Sequence, residues 1–594
     1  MRERWILQSK KGDFAGIGRR FGIDPVTARV MRNRNVATDE EIDSYLNGGI
    51  PQLHDAHQMK DADKAAGMIE TAIRNGIEIG IASDFDNDGI FSGMVLYEGI
   101  RFLGGKASIY TPHRVLEGYG LNDRIVHEAY DAGCRMILTC DNGIAAFEAV
   151  ELAKSLGMQV IVTDHHEIPY VETDGVRSFR LPCADAIVNP KQEDCGYPYK
   201  NLCGTGVAYK VIALLYERFG RRTEEVYRFL DYTAIATVAD VMELNGENRI
   251  LVKEGLKLLR TTKRVGLKAL MDVTGIEPSS ISSYHIGFVL GPCFNAAGRL
   301  DTVKLALQLL QEQEEEKALE LAGKLRSMNE ERKTMTQTGT QKAIEVIEQA
   351  SWKEDRVYLV YLPDCHESVA GIIAGRLRER FWRPVLVFTD AMEEGYLKAS
   401  GRSIDAYDMF EQLNKNRELY ARFGGHKMAA GLTMKAEYLD VLRKRLRSQC
   451  PLTAEDLRPV VLIDTPLPLE YISEPLIQDL EKLEPFGRGN EKPLFAWQHV
   501  TILRLTRIGK NRDMLKLQVC GSGGRAMDAL YFGDADGFLA FLEEEYGAEA
   551  VARAFKGMGG TMDAAFTFYP QVNMFRDQRS LQIVVQNYCR IAKK

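Results

Sequence analysis

Three short apolar runs, residues 77–82, 136–139 and 160–163, are each followed within two residues by aspartate, and this recurrence limits the chain more than any other feature. Short runs of branched apolar residues bounded by turn formers read as buried strands. The first is followed by Asp84-Phe85-Asp86-Asn87-Asp88-Gly89, the second by Asp141 and the third by Asp164-His165-His166. In an open parallel sheet, ligands bind at the carboxyl ends of the strands, so these acids and imidazoles are expected to converge on one crevice. Crowded carboxylates repel one another unless cations lie between them, so convergence implies metal. Oxygen ligands with one or two imidazoles suit manganese or magnesium better than a thiolate-seeking ion. The pattern points to metal-dependent phosphoryl hydrolysis.

Each locus also has a plainer reading. A single aspartate after a strand is most often a helix cap or turn residue, and Asp141 alone proves nothing. Asp84 to Gly89 matches the start of a calcium loop, but position 12 of that loop is Val95, where a bidentate glutamate is required. The run in front is β-rich rather than helical, so the calcium loop is rejected. Two adjacent histidines can be ordinary surface residues. Three acidic loci of one geometry beside them make that reading poor.

The chain has 594 residues, 45% hydrophobic and 27% charged, enough for about three to five globular domains. Its net charge of −7 argues against a generally basic nucleic-acid coat but leaves room for a local basic groove. The ten cysteines contain no CxxC pair and read as reduced thiols. No apolar stretch reaches the ~18 residues of a membrane span, and the first residues lack a signal-peptide core. A cytoplasmic protein without membrane contact is expected.

Residues 1–50 read as short helices ending at Gly48-Gly49. From 51 to 302, β-runs and helical patterns alternate as in a parallel α/β lobe, up to the apolar run at 231–240. Residues 303–352 are free of proline and rich in Glu, Lys, Leu and Ala, the texture of a long connecting helix, with a break near 311–315. A second α/β lobe spans 353–452, with strands near 356–360 and 384–388 around a helix at 370–380. Residues 453–594 carry short alternating strands and suggest a small β-barrel. Aromatic residues in Phe566-Thr567-Phe568-Tyr569 and Phe575-Arg576 suit a stacking platform, although aromatics at strand spacing usually fill a barrel core.

Taken in order, these stretches resemble the RecJ family of single-strand-specific DNA exonucleases, within the DHH phosphoesterase superfamily, over essentially the whole chain. Ser83-Asp84-Phe85-Asp86-Asn87-Asp88-Gly89 is similar to the first family motif, Asp141-Asn142-Gly143 to the second, Asp164-His165-His166 to the third and Thr237-Val238-Ala239-Asp240 to the fourth. Arg114 with Glu117-Gly118-Tyr119-Gly120, and Asn295-Ala296-Ala297-Gly298-Arg299, are further family-like stretches. In the second lobe His366-Glu367, Ser400-Gly401-Arg402 and Gly424-Gly425-His426 resemble the DHH-associated domain, and Pro485-Phe486-Gly487 precedes the barrel. The resemblance implies a DHH lobe, a connecting helix, a DHH-associated lobe and an OB-fold barrel. The chain departs from the family pattern at Ser83 (usually Gly), Phe85 (usually Tyr), Cys293 (usually Arg), Met514 (usually His) and Asp577 (usually Gly). If the usual arginine at 293 binds phosphate, either the substrate is held less tightly here or another cation substitutes.

The resemblance further implies two manganese or magnesium ions held by Asp86, Asp88, Asp141, His165 and Asp240. It gives catalytic roles to His166, Asp84 and Arg299, and substrate contacts to Arg114, Ser400, Arg402, His366 and His426. The implied reaction is 5′-to-3′ digestion of single-stranded DNA to 5′-mononucleotides in repair and recombination. The implied partners are a helicase and a single-strand-binding protein, with the enzyme itself a monomer. Two alternatives stay open: a phosphodiesterase of short oligoribonucleotides or cyclic dinucleotides, and a non-catalytic replication scaffold that keeps the fold.

Overall fold

The computed structural model describes residues 3–113, 117–173, 176–299, 303–575 and 578–591, which divide into two compact units. One joins Leu53–Glu243 to Glu247–Arg458; the other combines Met1–Gln52, Leu244–Gly246 and Pro459–Lys594.

The first lobe of the larger unit is built on strands β1 (Glu78–Ser83), β2 (Lys106–Tyr110), β3 (Met136–Cys140), β4 (Gln159–Thr163) and β5 (Ala186–Val188). Their order is β2-β1-β3-β4-β5 and every pairing is parallel. This is a doubly wound arrangement whose order reverses between β1 and β3, where ligands collect in such sheets. Ser83 pairs with Cys140 and Leu138 with Ile161. The residues that leave the three central strands, Asp84, Asp141 and Asp164, therefore stand side by side. Helix α1 (Asn87–Phe102) starts within the first acidic cluster and is buried along most of its length, packed against α2 (Gly204–Arg218).

Alternation stops earlier than the sequence suggests. After β5 the lobe is helical as far as Arg299, and the apolar run ending at Asp240 is a helix, α3 (Leu230–Ala239), with Asp240 as its C-cap. A short run that is apolar on every side fits a fully buried helix as well as a buried strand. Five strands already complete this sheet.

The predicted connector is two helices, Val303–Gln311 and α4 (Glu315–Gln349), interrupted where the break was expected. At 35 residues, α4 is ~50 Å long. Its buried positions Ala318, Ala322, Leu325 and Asn329, then Thr336, Ala343 and Ile347, fall at spacings of four, three and seven and form one seam. The first half of the seam meets the helices Val265–Thr274 and Gly291–Arg299 of the first lobe; the second half joins the core of the second lobe. That lobe is a mixed sheet of β6 (Tyr358–Tyr361), β7 (Val385–Asp390), β8 (Tyr396–Arg402), β9 (Tyr420–His426) and β10 (Ala429–Lys435), ordered β9-β10-β8-β7-β6, with α5 (Glu367–Phe381) crossing between β6 and β7.

In the smaller unit β11 (Phe495–Ile508), β12 (Met514–Cys520), β13 (Ala526–Tyr531), β14 (Met562–Phe575) and β15 (Gln578–Cys589) close into a five-stranded barrel through the β11–β14 pairing. Phe566 and Phe568 are fully buried in it, so only Tyr569 of that aromatic run reaches the surface, with Lys492 Nζ 3.5 Å from its ring centre. The side chain of Phe575, with Arg576 and Asp577, lies outside the described residues.

The N-terminal helices belong to this unit. Ile17, Ile23, Val30, Met31, Ile42 and Tyr45 share one core with the barrel residues, and the strand Arg4–Leu7 pairs in parallel with Val460–Ile463. The polar tie is Asp464, which accepts from Arg34 Nη1 at 2.9 Å, Asn33 Nδ2 at 3.1 Å and the Leu494 N–H at 3.1 Å. The Arg34 and Asp464 side chains are only 7% and 4% exposed. The ten cysteines are all unbridged, and among the described residues no helix is long and apolar enough to cross a membrane.

Removing one partner of a buried ion pair strands the other charge. Asp464→Ala should therefore destabilise this unit by about 3–5 kcal/mol, and the double change Arg34→Met/Asp464→Leu should recover most of that loss. Scanning calorimetry of the full chain measures both, and an unchanged melting profile in Asp464→Ala would refute the tie.

Candidate metal centre

Asp86 is the N-cap of α1, its Oδ1 accepting the Gly89 N–H at 3.1 Å. Asp88, in the first turn of α1, points at the N-terminus of α2. Its carboxylate accepts the Gly204 N–H at 2.6 Å, the Thr205 N–H at 2.8 Å and the Thr205 hydroxyl at 2.6 Å. The positive end of a helix dipole thus holds this anion in place. Asp141 leaves β3 in the left-handed region, φ 61°, a conformation aspartate tolerates better than most residues. Gly143 follows, also left-handed, where a Cβ would stand 2.6 Å from Thr139 Oγ1.

These acids meet at one imidazole. His165 Nε2 lies 3.0 Å from Asp141 Oδ1, 3.5 Å from Asp88 Oδ2 and 3.8 Å from Asp240 Oδ2. Among the described residues two groups have the spacing to hold a metal ion: Asp88, His165 and Asp240, and Asp141, His165 and His166. Asp86 lies outside both groups. Asp84 is buried and accepts the Phe85 N–H at 2.7 Å.

Divalent cations fit the chemistry of this donor set. Asp141 Oδ1 and His165 Nδ1 are buried with no hydrogen-bond partner, an arrangement that is costly unless something else binds there. With protein groups alone, burial and then the neighbouring carboxylates push Asp141 well above the usual range, Asp86 upward and Asp240 up to about 8. Burial lowers His165, which favours the neutral imidazole that ligates metal.

Asp164 organises the third motif. It accepts the Ile144 N–H at 2.9 Å, the His165 N–H at 2.7 Å and the His166 N–H at 3.0 Å, and its Oδ1 is 2.8 Å from His166 Nδ1. Burial works against the Asp164 charge, but the bond to His166 and the charges of the two imidazoles together outweigh it and hold the carboxyl below its usual range. Desolvation likewise opposes the His166 charge, yet Asp164 lifts that imidazole to about 9. His166 is 57% exposed, so its ring reaches the open side of the site while Asp164 fixes it from within.

Two supporting features are not evident from the sequence. Asp164 stands there only as part of its motif, although it orients both histidines. Gly204 draws no attention: a Cβ there would come within 2.7 Å of Asp141 Cβ and 2.9 Å of its Cα. The available signal is Cys203-Gly204-Thr205-Gly206, a small-residue helix start of the kind that cradles anions.

Three of the departures from the family pattern have local accommodations. Ser83 donates its hydroxyl to the Gly89 carbonyl at 2.7 Å, tying the metal loop to β1. Phe85 is fully buried and its ring packs on Tyr119, with centroids 4.6 Å apart. Cys293 is buried, and its Sγ accepts from Asn329 Nδ2 at 3.5 Å. Asn329 Oδ1 in turn accepts from Arg332 Nη2 at 2.9 Å, which brings a guanidinium of α4 close to Cys293.

Four of the remaining candidates lie on the second lobe. Ser400 and Arg402 share one face of β8, flanked by Gly431 and Ala429 of β10. A Cβ on Gly371 of α5 would stand 3.0 Å from Arg402 Nη2, so the helix comes close only because glycine is there. His366 caps α5, its Nδ1 2.7 Å from Ser368 Oγ, and His426 Nδ1 accepts the Met428 N–H at 3.2 Å. Arg114 and the side chain of Arg299 lie outside the described residues.

Family models match three segments: the DHH family N-terminal domain over residues 78–237, the DHHA1 domain over 354–450 and the RecJ OB domain over 463–587. The chain is 32% identical over 588 residues to the single-stranded-DNA-specific exonuclease RecJ of Escherichia coli (strain K12), covering 95% of this chain and 96% of that protein. It is 36% identical over 519 residues to the protein of the same name from Bacillus subtilis (strain 168), where the match covers 87% of this chain and 64% of the longer relative. The structure superposes on Thermus thermophilus RecJ in complex with Mn2+ with a TM-score of 0.81 at 24% identity, covering 99% of this chain and 80% of that one. A manganese-bound exonuclease RecJ matches at 30% identity with a TM-score of 0.57, over 67% of this chain and 96% of the other.

The contact at Gly204 gives a test that does not depend on turnover. Gly204→Ala must push the start of α2 away from Asp141 and loosen Asp88, so Mn2+ affinity should fall about 10- to 100-fold, as when the support of a metal ligand is lost. Titration calorimetry reads the affinity and far-UV circular dichroism the fold; undiminished Mn2+ binding would overturn the assignment.

Proposed function

As the chain belongs to the RecJ family of exonucleases, we propose that it is a single-stranded-DNA-specific exonuclease that works from the 5′ end and releases 5′-mononucleotides. The observation that carries this reading is the convergence of Asp88, Asp141 and Asp240 on His165 at the switch point of a doubly wound sheet. The relatives that match nearly end to end bear this activity in their names.

Asp86, Asp88, Asp141, His165 and Asp240 would hold two ions, Mn2+ or Mg2+, and His165 is common to both groups that have metal-binding spacing. Such a pair supplies Lewis-acid activation of water and neutralises charge on the phosphate. His166 has its Nδ1 committed to Asp164, which leaves Nε2 to orient the scissile phosphate or to protonate the departing 3′-oxygen. Asp84 shapes the loop that presents Asp86 and Asp88, and the family resemblance gives Arg299 a catalytic role. Arg114, Ser400 and Arg402 grip the terminal 5′-phosphate, whose extra charge a planar guanidinium recognises in two-pronged fashion. His366 and His426 border the same strand path. Arg332, held beside Cys293, supplies the cation that the usual arginine would give.

The barrel retains the strand through phosphate contacts and stacking, so binding should weaken steeply with salt. A barrel matched by the RecJ OB model over residues 463–587 speaks against the oligoribonucleotide and cyclic-dinucleotide alternatives, whose enzymes need only the two lobes. Retention of every expected ligand speaks against a non-catalytic scaffold. The enzyme acts as a cytoplasmic monomer in repair and recombination, with a helicase to open duplex and a single-strand-binding protein to present the product.

End-blocked, labelled strands digested in Mn2+ test the polarity: a 5′ block should stop degradation and a 3′ block should not, and the reverse would overturn it. Asp141→Ala, like chelation, should abolish hydrolysis with the fold intact. Arg402→Ala should raise KM about 10- to 100-fold, the worth of a charged hydrogen bond. It should also erase the preference for a 5′-phosphate over a 5′-hydroxyl and leave Mn2+ binding unchanged.

A further inference from the structure

Large apolar side chains on this chain are mostly buried, but Tyr284 and Phe288 are 63% and 69% exposed. Isolated exposed aromatics are ordinary. These two form a pair, their ring centroids 5.0 Å apart and their planes 30° from parallel. They sit where the backbone itself is unusual: Ser283–His285 is α-helical, Ile286–Leu290 is a turn of π-helix, and Gly291–Arg299 is α-helical again. An inserted π-turn re-aims side chains at a cost in helix geometry and occurs mostly at functional sites.

The inner side of this segment is bolted to the metal loop. Asn87, between Asp86 and Asp88, donates its Nδ2 to the Gly291 carbonyl at 3.1 Å, and its N–H donates to Asn295 Oδ1 at 3.2 Å. A Cβ on Gly291 would lie 3.3 Å from Ala239 Cβ, and one on Gly287 would lie 3.7 Å from Val238 Cγ1, both at the end of α3 that presents Asp240. The residue after Asp240 is Val241, exposed and in the left-handed region at φ 56°, an unfavourable conformation for a β-branched residue. The aromatic pair is thus rigidly referenced to Asp86, Asp88 and Asp240, while its rings face solvent.

We propose that Tyr284 and Phe288 form a stacking platform for the bases of the single strand whose phosphates engage the metal centre. The proposal rests on the exonuclease reading and adds the surface that holds the bases near the chemistry. Nucleobases fit better than an apolar protein segment for two reasons: the patch is two flat rings rather than a groove, and it is carried on the segment hydrogen-bonded to the metal loop. Stacking is tolerant of sequence, as an enzyme that digests strands of any sequence requires.

The test uses the full chain in chelator, where strands bind without being cut, and compares an oligothymidylate with an abasic strand of equal length. Wild type should prefer the strand with bases. Tyr284→Ala/Phe288→Ala should bind that strand about tenfold more weakly and the abasic strand equally well, from the worth of one stacked base. Mn2+ affinity should be unchanged, and Phe288→Trp alone should keep wild-type binding. Equal weakening on both strands, or none on either, would overturn the platform. A wild-type protein that binds neither strand would instead overturn the exonuclease reading, and the platform with it.

Discussion

Repulsion among buried carboxylates is the constraint on which the rest of this structure depends. Asp84, Asp88 and Asp141 are almost inaccessible, with Asp86 and Asp240 at their edge. Moving such charges out of water is expensive unless each is paired or hydrogen-bonded. The scaffold answers with fixed N–H donors: the start of α2 for Asp88, Gly89 for Asp86 and Phe85 for Asp84. Asp164 spends its acceptors on holding the two histidines. What the donors leave unmet is concentrated on Asp141 Oδ1, the atom nearest His165. The site is thus firmly held by protein groups and still short of positive charge at its centre.

Much of this was legible because strand ends carry their own punctuation. An apolar run followed by aspartate marks both the end of a strand and the residue that leaves it. Parallel pairing then sets Asp84, Asp141 and Asp164 in a row. The helix break near 311–315 was equally plain, since Glu312, Gln313 and Glu314 offer no apolar residue to continue either seam. Less legible were features that depend on contacts distant in sequence. Nothing local in residues 14–47 tells that these helices complete the core of a barrel more than four hundred positions away, because amphipathic helices have the same pattern whatever they cover. Gly204 is unremarkable until Asp141 stands against it. Asp240 was placed with the acids by motif, but its position at a helix C-terminus rather than a strand end needed the tertiary structure.

The long helix α4 explains how two lobes of different topology form one unit. Its seam changes client halfway along, from Val265–Thr274 and Gly291–Arg299 to α5 and the core around Ile373. Asn329 is the one amide in the otherwise small and apolar first half of the seam, and it is used twice, toward Cys293 and toward Arg332. A buried polar group in a seam fixes register, since any slip would leave it unsatisfied.

That register matters to chemistry because Cys293 belongs to the segment clamped on Asn87. The connection runs from Arg332 to Asn329, to Cys293, through the backbone to Gly291 and on to Asn87 between two of the acids. Each link is short and each side chain but Arg332 is buried, so a guanidinium on the connecting helix is positioned by the same scaffold that positions the carboxylates. A side chain the length of arginine at position 293 could reach the same region directly. Here a thiol, too small to do so, lets an amide and an arginine approach from α4. A guanidinium is therefore presented beside Cys293 by α4, with the carboxylate scaffold untouched.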